Sequence, residues 1–198
     1  FLPYAPTTLL NLAFAYGYLR ADRTGSLRSA AAAGVAIGLA FFARPFTAVL
    51  FATPFIVHAL WTLSQHPRDA LPRQAATAVF GLAGVAVTLG YNAVMTGSPL
   101  VFPYQEFAPL DGLGFGQRRL LDHELMYTPQ LALEVSRKVL WSLYTSWVAG
   151  GLFGTALAAG GVVAVLRRRP SPRKLTLAGV FLSVGVGNAY FWGNYNIL

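Results

Sequence analysis

The chain contains no cysteine. That excludes disulfides, thiolate metal sites and a cysteine nucleophile. It is also poor in charge: only 11% of its 198 residues are Asp, Glu, Lys or Arg, against about 25% in a soluble domain. Seven residues are acidic and three are histidine. No histidine pair stands at metal-ligand spacing, so neither a metal nor a cofactor is expected. No internal repeat is visible. The stretch GLGFG (112–116) lacks the spacing, the preceding strand and the lysine-serine ending of a nucleotide loop. It reads as a turn.

What is present is apolar. Hydrophobic residues make up 55% of the chain, and the mean hydropathy is +0.51. A membrane protein is expected, with membrane lipids as its main surroundings. The net charge of +8 does not point to nucleic acid. The basic residues fall in short runs between apolar segments, which is the pattern of membrane loops. The chain opens on Phe1 without a basic n-region and ends at Leu198, just past an apolar run. We expect a fragment of a longer polytopic protein.

A membrane-crossing helix needs about 20 apolar residues. Segments 2–19, 75–95, 148–166 and 175–192 meet that length. The run 29–63 is too long for one helix and short for two. Proline disfavours helix in the residue before it, so we divide the run at Arg44–Pro45 into helices 29–43 and 46–63. The expected fold class is therefore all-α and polytopic, with about six transmembrane helices. Six spans put ten of the fifteen basic residues on one side: Arg20, Arg23, Arg28, Arg68, Arg73, Arg167, Arg168, Arg169, Arg173 and Lys174. The positive-inside rule makes that side cytoplasmic. The expected location is the cell membrane, multi-pass, with loop 96–130 extracytoplasmic and Arg44 at the outer end of a tight hairpin.

Segment 96–130 interleaves Pro and Gly with Phe102, Tyr104, Phe107, Phe115, Tyr127 and charges. Disordered tails are poor in aromatics, so we expect a folded outer loop on the membrane surface. Segment 131–147 carries an approximate helical stripe of apolar residues with Glu134, Ser136, Arg137 and Lys138 between them. It reads as an interfacial helix. The run RRRPSPRK (167–174) reads as a topology determinant, or as a contact for anionic lipid.

The stretch AAGVAIGLAFFARPFTAVLFATPFIV, with YNAVMTGSPLVFPYQ, LGFGQRR and YTPQLAL after it, resembles polytopic GT-C glycosyltransferases. The similar proteins are the protein O-mannosyltransferases and the lipid A aminoarabinose transferase. The likeness runs from about Phe1 to Trp147. It implies transfer of a sugar from a polyprenyl-phosphate donor to a glycan, lipid or protein acceptor on the outer face. The family's general base lies in an early outer loop, ahead of this fragment, so the catalytic residue here is unknown. Arg44 matches a basic residue at the hairpin turn that lies near the lipid-linked phosphate in those enzymes. A guanidinium can grip phosphate with two parallel hydrogen bonds, and the phosphate gains negative charge as it leaves the sugar. The alternative role for Arg44 is an interfacial anchor.

The remaining substrate-binding candidates are Tyr91, Asn92, Tyr104, Glu106, Asp111, Arg118 and Arg119. Glu106 and Asp111 could orient sugar hydroxyls or accept a proton, or pair with Arg118 and Arg119. Those two arginines could meet the donor phosphate or lipid headgroups, or form a solvated pair. Asn92 could equally bond a neighbouring helix. His123 is a weaker acid, base or ligand candidate. Two further classes stay open. A secondary transporter also uses broken helices, and a non-catalytic membrane scaffold needs no site.

Overall fold

The computed structural model describes residues 4–120, 123–142, 144–145, 151, 154, 156, 160, 163 and 171–190. The protein is mostly helical. Its elements are α1 (Tyr4–Thr24), α2 (Leu27–Ala43), α3 (Pro45–Gln65), α4 (Pro67–Thr96), α5 (Pro103–Phe107), β1 (Gly116–Leu120), β2 (His123–Tyr127), α6 (Pro129–Ser142) and α7 (Pro172–Ala189). They belong to two compact units: Phe1–Glu106 with Thr176–Val184, and Phe107–Leu175 with Gly185–Leu198.

In the first unit the helix ends follow local chemistry. Gly25 takes a positive φ of 72° and its N–H closes α1 on the Ala21 carbonyl at 2.9 Å. Ser26 then caps α2, accepting from the Ser29 N–H at 3.3 Å. A different device appears twice further on. Arg44 (φ −153°, ψ 86°) and His66 (φ −138°, ψ 66°) each interrupt the helix and precede a proline at the first helical position. Proline pushes the residue before it out of the α region, yet suits the first turn of the next helix. The division at Arg44–Pro45 is thus where the backbone breaks. Helix α4 begins at Pro67, eight residues before the expected 75, because Pro67 and Pro72 both fall near its start.

Helix α2 lies at the centre of this unit. Ala30, Ala33 and Ala40 are fully buried, and glycines let α4 approach its backbone. A Cβ on Gly34 would lie 2.5 Å from the Thr77 carbonyl, and one on Gly84 would collide with the Gly38 Cα. The other side of the unit is filled by Phe14, Ala15, Tyr18 and Phe55, with Phe51 and Val180 packed against them. Ser183 donates to the Leu50 carbonyl at 2.6 Å.

Two described helices, α3 and α4, are long and apolar enough to cross a membrane, with mean hydropathies of 1.7 and 1.6 over their best windows. Only 22% and 11% of those windows are buried. Val57, Leu60, Val79, Leu82 and Val94 stand largely exposed. Water would not favour so much bare apolar surface, and it points to association with a membrane. Six such helices were expected, and two are identified. Helix α2 is apolar but only 17 residues long. Helix α1 runs on past residue 19 to include Arg20, Asp22 and Arg23, which dilutes its apolar character. The expected span 148–166 lies almost wholly outside the described residues, as do Arg167–Pro170 and the end of the expected span 175–192.

The second unit departs from an all-α chain. β1 and β2 pair antiparallel, with Gly116 opposite Tyr127 and Leu120 opposite His123. Strands of five residues are too short to show a clear period of two, and glycines ahead of them hide the pattern. Gly114 and Gly116 take positive φ values of 93° and 119°, so GLGFG is a turn, and it feeds a strand. Helix α6 follows at once. Thr128 caps it, accepting from the Leu131 N–H at 3.2 Å, and Pro129 takes its first position. It therefore starts two residues before the expected 131. It buries Ala132 and Val135 and exposes Leu133, Leu140 and Trp141.

Candidate functional site

Arg44 stands at the α2–α3 break. Its backbone N–H still donates to the Ala40 carbonyl at 2.8 Å, which fixes its direction. Its guanidinium carbon lies 3.8 Å from the centroid of the Tyr4 ring. A cation over an aromatic face is held by the ring quadrupole and keeps its five N–H donors. Among the described residues, Arg44 forms no ion pair. It is half-buried, and α3 begins at this residue without a side-chain cap. Arg44 ends α2 as well as preceding α3, so the two helix dipoles oppose each other at the break and the positive charge there is the guanidinium's own.

The other first-unit candidates take several roles. The Tyr91 ring meets Phe42 edge-on at 5.6 Å and is 46% exposed, so it remains available to a ligand. Asn92 is buried, and its amide donates to the Pro99 carbonyl at 3.1 Å. With Thr96, whose hydroxyl meets the carbonyls of Ser98 and Val101, it braces the turn after α4. Tyr104 stacks beside Phe102 at 6.1 Å, and Glu106 is exposed on α5.

In the second unit the neighbours Arg118 and Arg119 part company. Alternate strand residues face opposite ways. Arg118 turns back on the glycine-rich turn and donates to the carbonyls of Leu113, Gly114 (3.1 Å) and Phe115 (3.2 Å). It is a clamp on the loop, and its Nε and Nη2 donors are taken up there. Arg119 is exposed and sits opposite Glu124 in the ribbon. Asp111 is half-buried and its N–H closes a turn on the Ala108 carbonyl at 2.9 Å. His123 pairs with Leu120 through its strand position. The Tyr127 hydroxyl donates to the Ala189 carbonyl at 2.9 Å, and burial pushes this phenol above its usual pKa.

Sequence reasoning misses a buried polar cluster at the far end of the first unit from Arg44. The Tyr18 hydroxyl lies 2.9 Å from His58 Nδ1 and accepts from the Gln74 amide at 3.2 Å. Close by, Asp22 and Arg73 form an ion pair at 3.4 Å, with 7% and 14% of their side chains exposed. Arg73 Nε is buried without a partner. The legible signal is the spacing Tyr18–Asp22 on α1, which stacks both on one helix face. Its partners are 40 to 56 residues away, which no local pattern reveals. Among the described residues no group of three His, Asp or Glu could hold a metal.

Beside this cluster runs an apolar groove of about 560 Å³, walled by α3 and α4 with Phe14, Tyr18, Ile37 and Phe41 behind them. No protein-family model, curated protein or solved structure matches the chain.

Proposed function

We propose that the chain is part of an integral membrane glycosyltransferase that moves a sugar from a polyprenyl-phosphate donor to an acceptor on the outer face. The observation that carries this reading is Arg44: a guanidinium fixed over Tyr4 at an uncapped helix start, with no carboxylate partner among the described residues. The resemblance to the GT-C glycosyltransferases supports it. In this reading six helices cross the membrane, and α1, α2 and α7 join α3, α4 and the segment 148–166. The α2–α3 break then lies at the outer surface.

The acceptor oxygen attacks the sugar carbon, and the bond from that carbon to the phosphate oxygen breaks with its electron pair passing to the phosphate. Arg44 holds that phosphate before transfer and stabilises the added charge after it. The carboxylate that takes the acceptor's proton lies, in the family the chain resembles, in an early outer loop and is not assigned to a residue here. Tyr91, Tyr104 and Glu106 are exposed and chemically able to orient sugar hydroxyls. Asn92 and Arg118 serve the fold.

The test is donor consumption by the full-length protein in proteoliposomes across a panel of polyprenyl-phosphate sugars. Arg44→Ala should lower turnover by about 100-fold, the loss typical of removing one such charge-stabilising donor, with the variant still folded by gel filtration. Equal turnover in the two would reduce Arg44 to an anchor. A wild-type protein that consumes none of the donors would remove the enzyme reading and turn attention to transport.

A further inference from the structure

The apolar groove of the first unit has an unused chemistry. Its lining on α3 runs from Ala48 to Leu63, about 22 Å at the helical rise of 1.5 Å per residue. Ile37, Ala52, Ile56, Leu60, Ala78 and Leu82 make it almost wholly hydrocarbon. Helix α3 touches α4 only sparsely along it, so the space is long, narrow and open on one side. That shape suits one extended alkyl chain and no polar solute.

The end of the groove away from Arg44 is flanked by basic residues as well. Leu63 and Leu71 line one end and flank the α3–α4 turn, where Arg68 is exposed. Gln74 lines the groove beside them. The Asp22–Arg73 ion pair ties this turn to the α1–α2 turn, which carries exposed Arg20, Arg23 and Arg28. The acids at this end are Asp69 and Asp22, and Asp22 is already matched by Arg73. Arginines therefore outnumber acids on the two turns that flank the Leu63–Leu71 end of the groove. Each arginine near a membrane surface favours an anionic headgroup by about 1 kcal/mol.

We infer that this groove holds one acyl chain of an anionic phospholipid, with its phosphate on the arginine rim of the α1–α2 and α3–α4 turns. The site is separate from Arg44, which lies at the opposite end of α3. The Gln74 amide, with one N–H directed at Tyr18, has a second to offer an ester carbonyl. The bound lipid would fill the gap between α3 and α4 that the described side chains leave open.

The test is native mass spectrometry of the full-length protein from micelles holding equal phosphatidylglycerol, phosphatidylcholine and undecaprenyl phosphate. Phosphatidylglycerol should be retained over phosphatidylcholine by about tenfold. Ala78→Phe and, separately, Ile56→Trp should abolish retention by filling the groove. Both positions are exposed, so neither change overpacks the core. Arg23→Gln with Arg68→Gln should bring the two phospholipids close to parity. Equal retention of the two phospholipids in the wild type, or phosphatidylglycerol retention that survives both groove-filling variants, would each overturn the site, whereas undecaprenyl phosphate retained through Arg44 should be unaffected by those variants. Donor turnover, measured on the same samples, reports on Arg44 independently. A lost lipid preference with intact turnover therefore sinks this inference alone.

Discussion

The first unit holds two arginines in opposite circumstances at opposite ends of its helices. Arg73 is paired with Asp22, flanked by the Tyr18–His58–Gln74 cluster and nearly sealed from solvent. Arg44 has an aromatic ring beneath it and no carboxylate partner among the described residues. One cation is consumed by the architecture that links α1 to α4. The other is oriented and left with its donors. Charge count alone treats them alike; geometry separates a structural arginine from one poised to bind.

The contrast breaks most sharply on stability. Arg73→Leu removes the ion-pair partner of a nearly buried Asp22 carboxylate and should cost about 3 kcal/mol, the scale of breaking a buried pair from one side. Arg44→Ala leaves no buried charge behind and should cost under about 1 kcal/mol, the worth of one partly exposed cation–π contact. Thermal unfolding of both variants in the same detergent checks this. Similar losses would mean that Arg44 is structural too, and the proposed phosphate role would fall with that result.

A second contrast lies within α4. Gly84 meets the α2 backbone, whereas Gly90 has open space around its Cα. Gly84→Ala should destabilise by about 1–3 kcal/mol through overpacking. Gly90→Ala should stabilise by about 0.5–1 kcal/mol, because alanine loses less backbone entropy in a helix. If both alanines behave alike in an unfolding series, the close α2–α4 approach is not what holds the unit.

The ribbon unit repeats the comparison on adjacent residues. Arg118→Ala removes the donors that bind the carbonyls of Leu113, Gly114 and Phe115. Loop 112–116 should open more easily by about 1–2 kcal/mol, given about 1 kcal/mol per net hydrogen bond, as read by amide hydrogen exchange. Arg119→Ala, at an exposed position, should stay within about 0.5 kcal/mol. Equal protection in the two variants would remove the clamp.

These contrasts mark where the sequence is readable. The hairpin break at Arg44–Pro45 and the positive-φ turn in GLGFG are legible, because proline and glycine act on neighbouring residues. Helix boundaries drift where polar residues extend a helix past its apolar stretch, as at Arg20 to Thr24 and Pro67 to Gln74. The ribbon is hidden by its brevity. The separation of Arg118 from Arg119 follows only once a strand replaces the expected loop. The Tyr18 cluster is hidden for a different reason: α1, α3 and α4 each contribute to it, so tertiary packing alone assembles it.

The smallest expected effect concerns Tyr127, whose phenol is buried and donates to the Ala189 carbonyl. Burial raises its pKa in the fold, while the unfolded chain would ionise near pH 10. The stability that comes from keeping this phenol neutral is complete below about pH 10 and is lost as pH climbs through the raised folded value. Tyr127→Phe should cost about 1 kcal/mol at neutral pH by removing one hydrogen bond. It should also flatten the alkaline loss of stability, since no phenol remains to ionise at that position. Denaturant midpoints for both proteins between pH 7 and pH 11 separate the two effects. Parallel curves up to pH 11 would show that Tyr127 does not govern the alkaline limit, and that its burial matters to the ribbon only as packing.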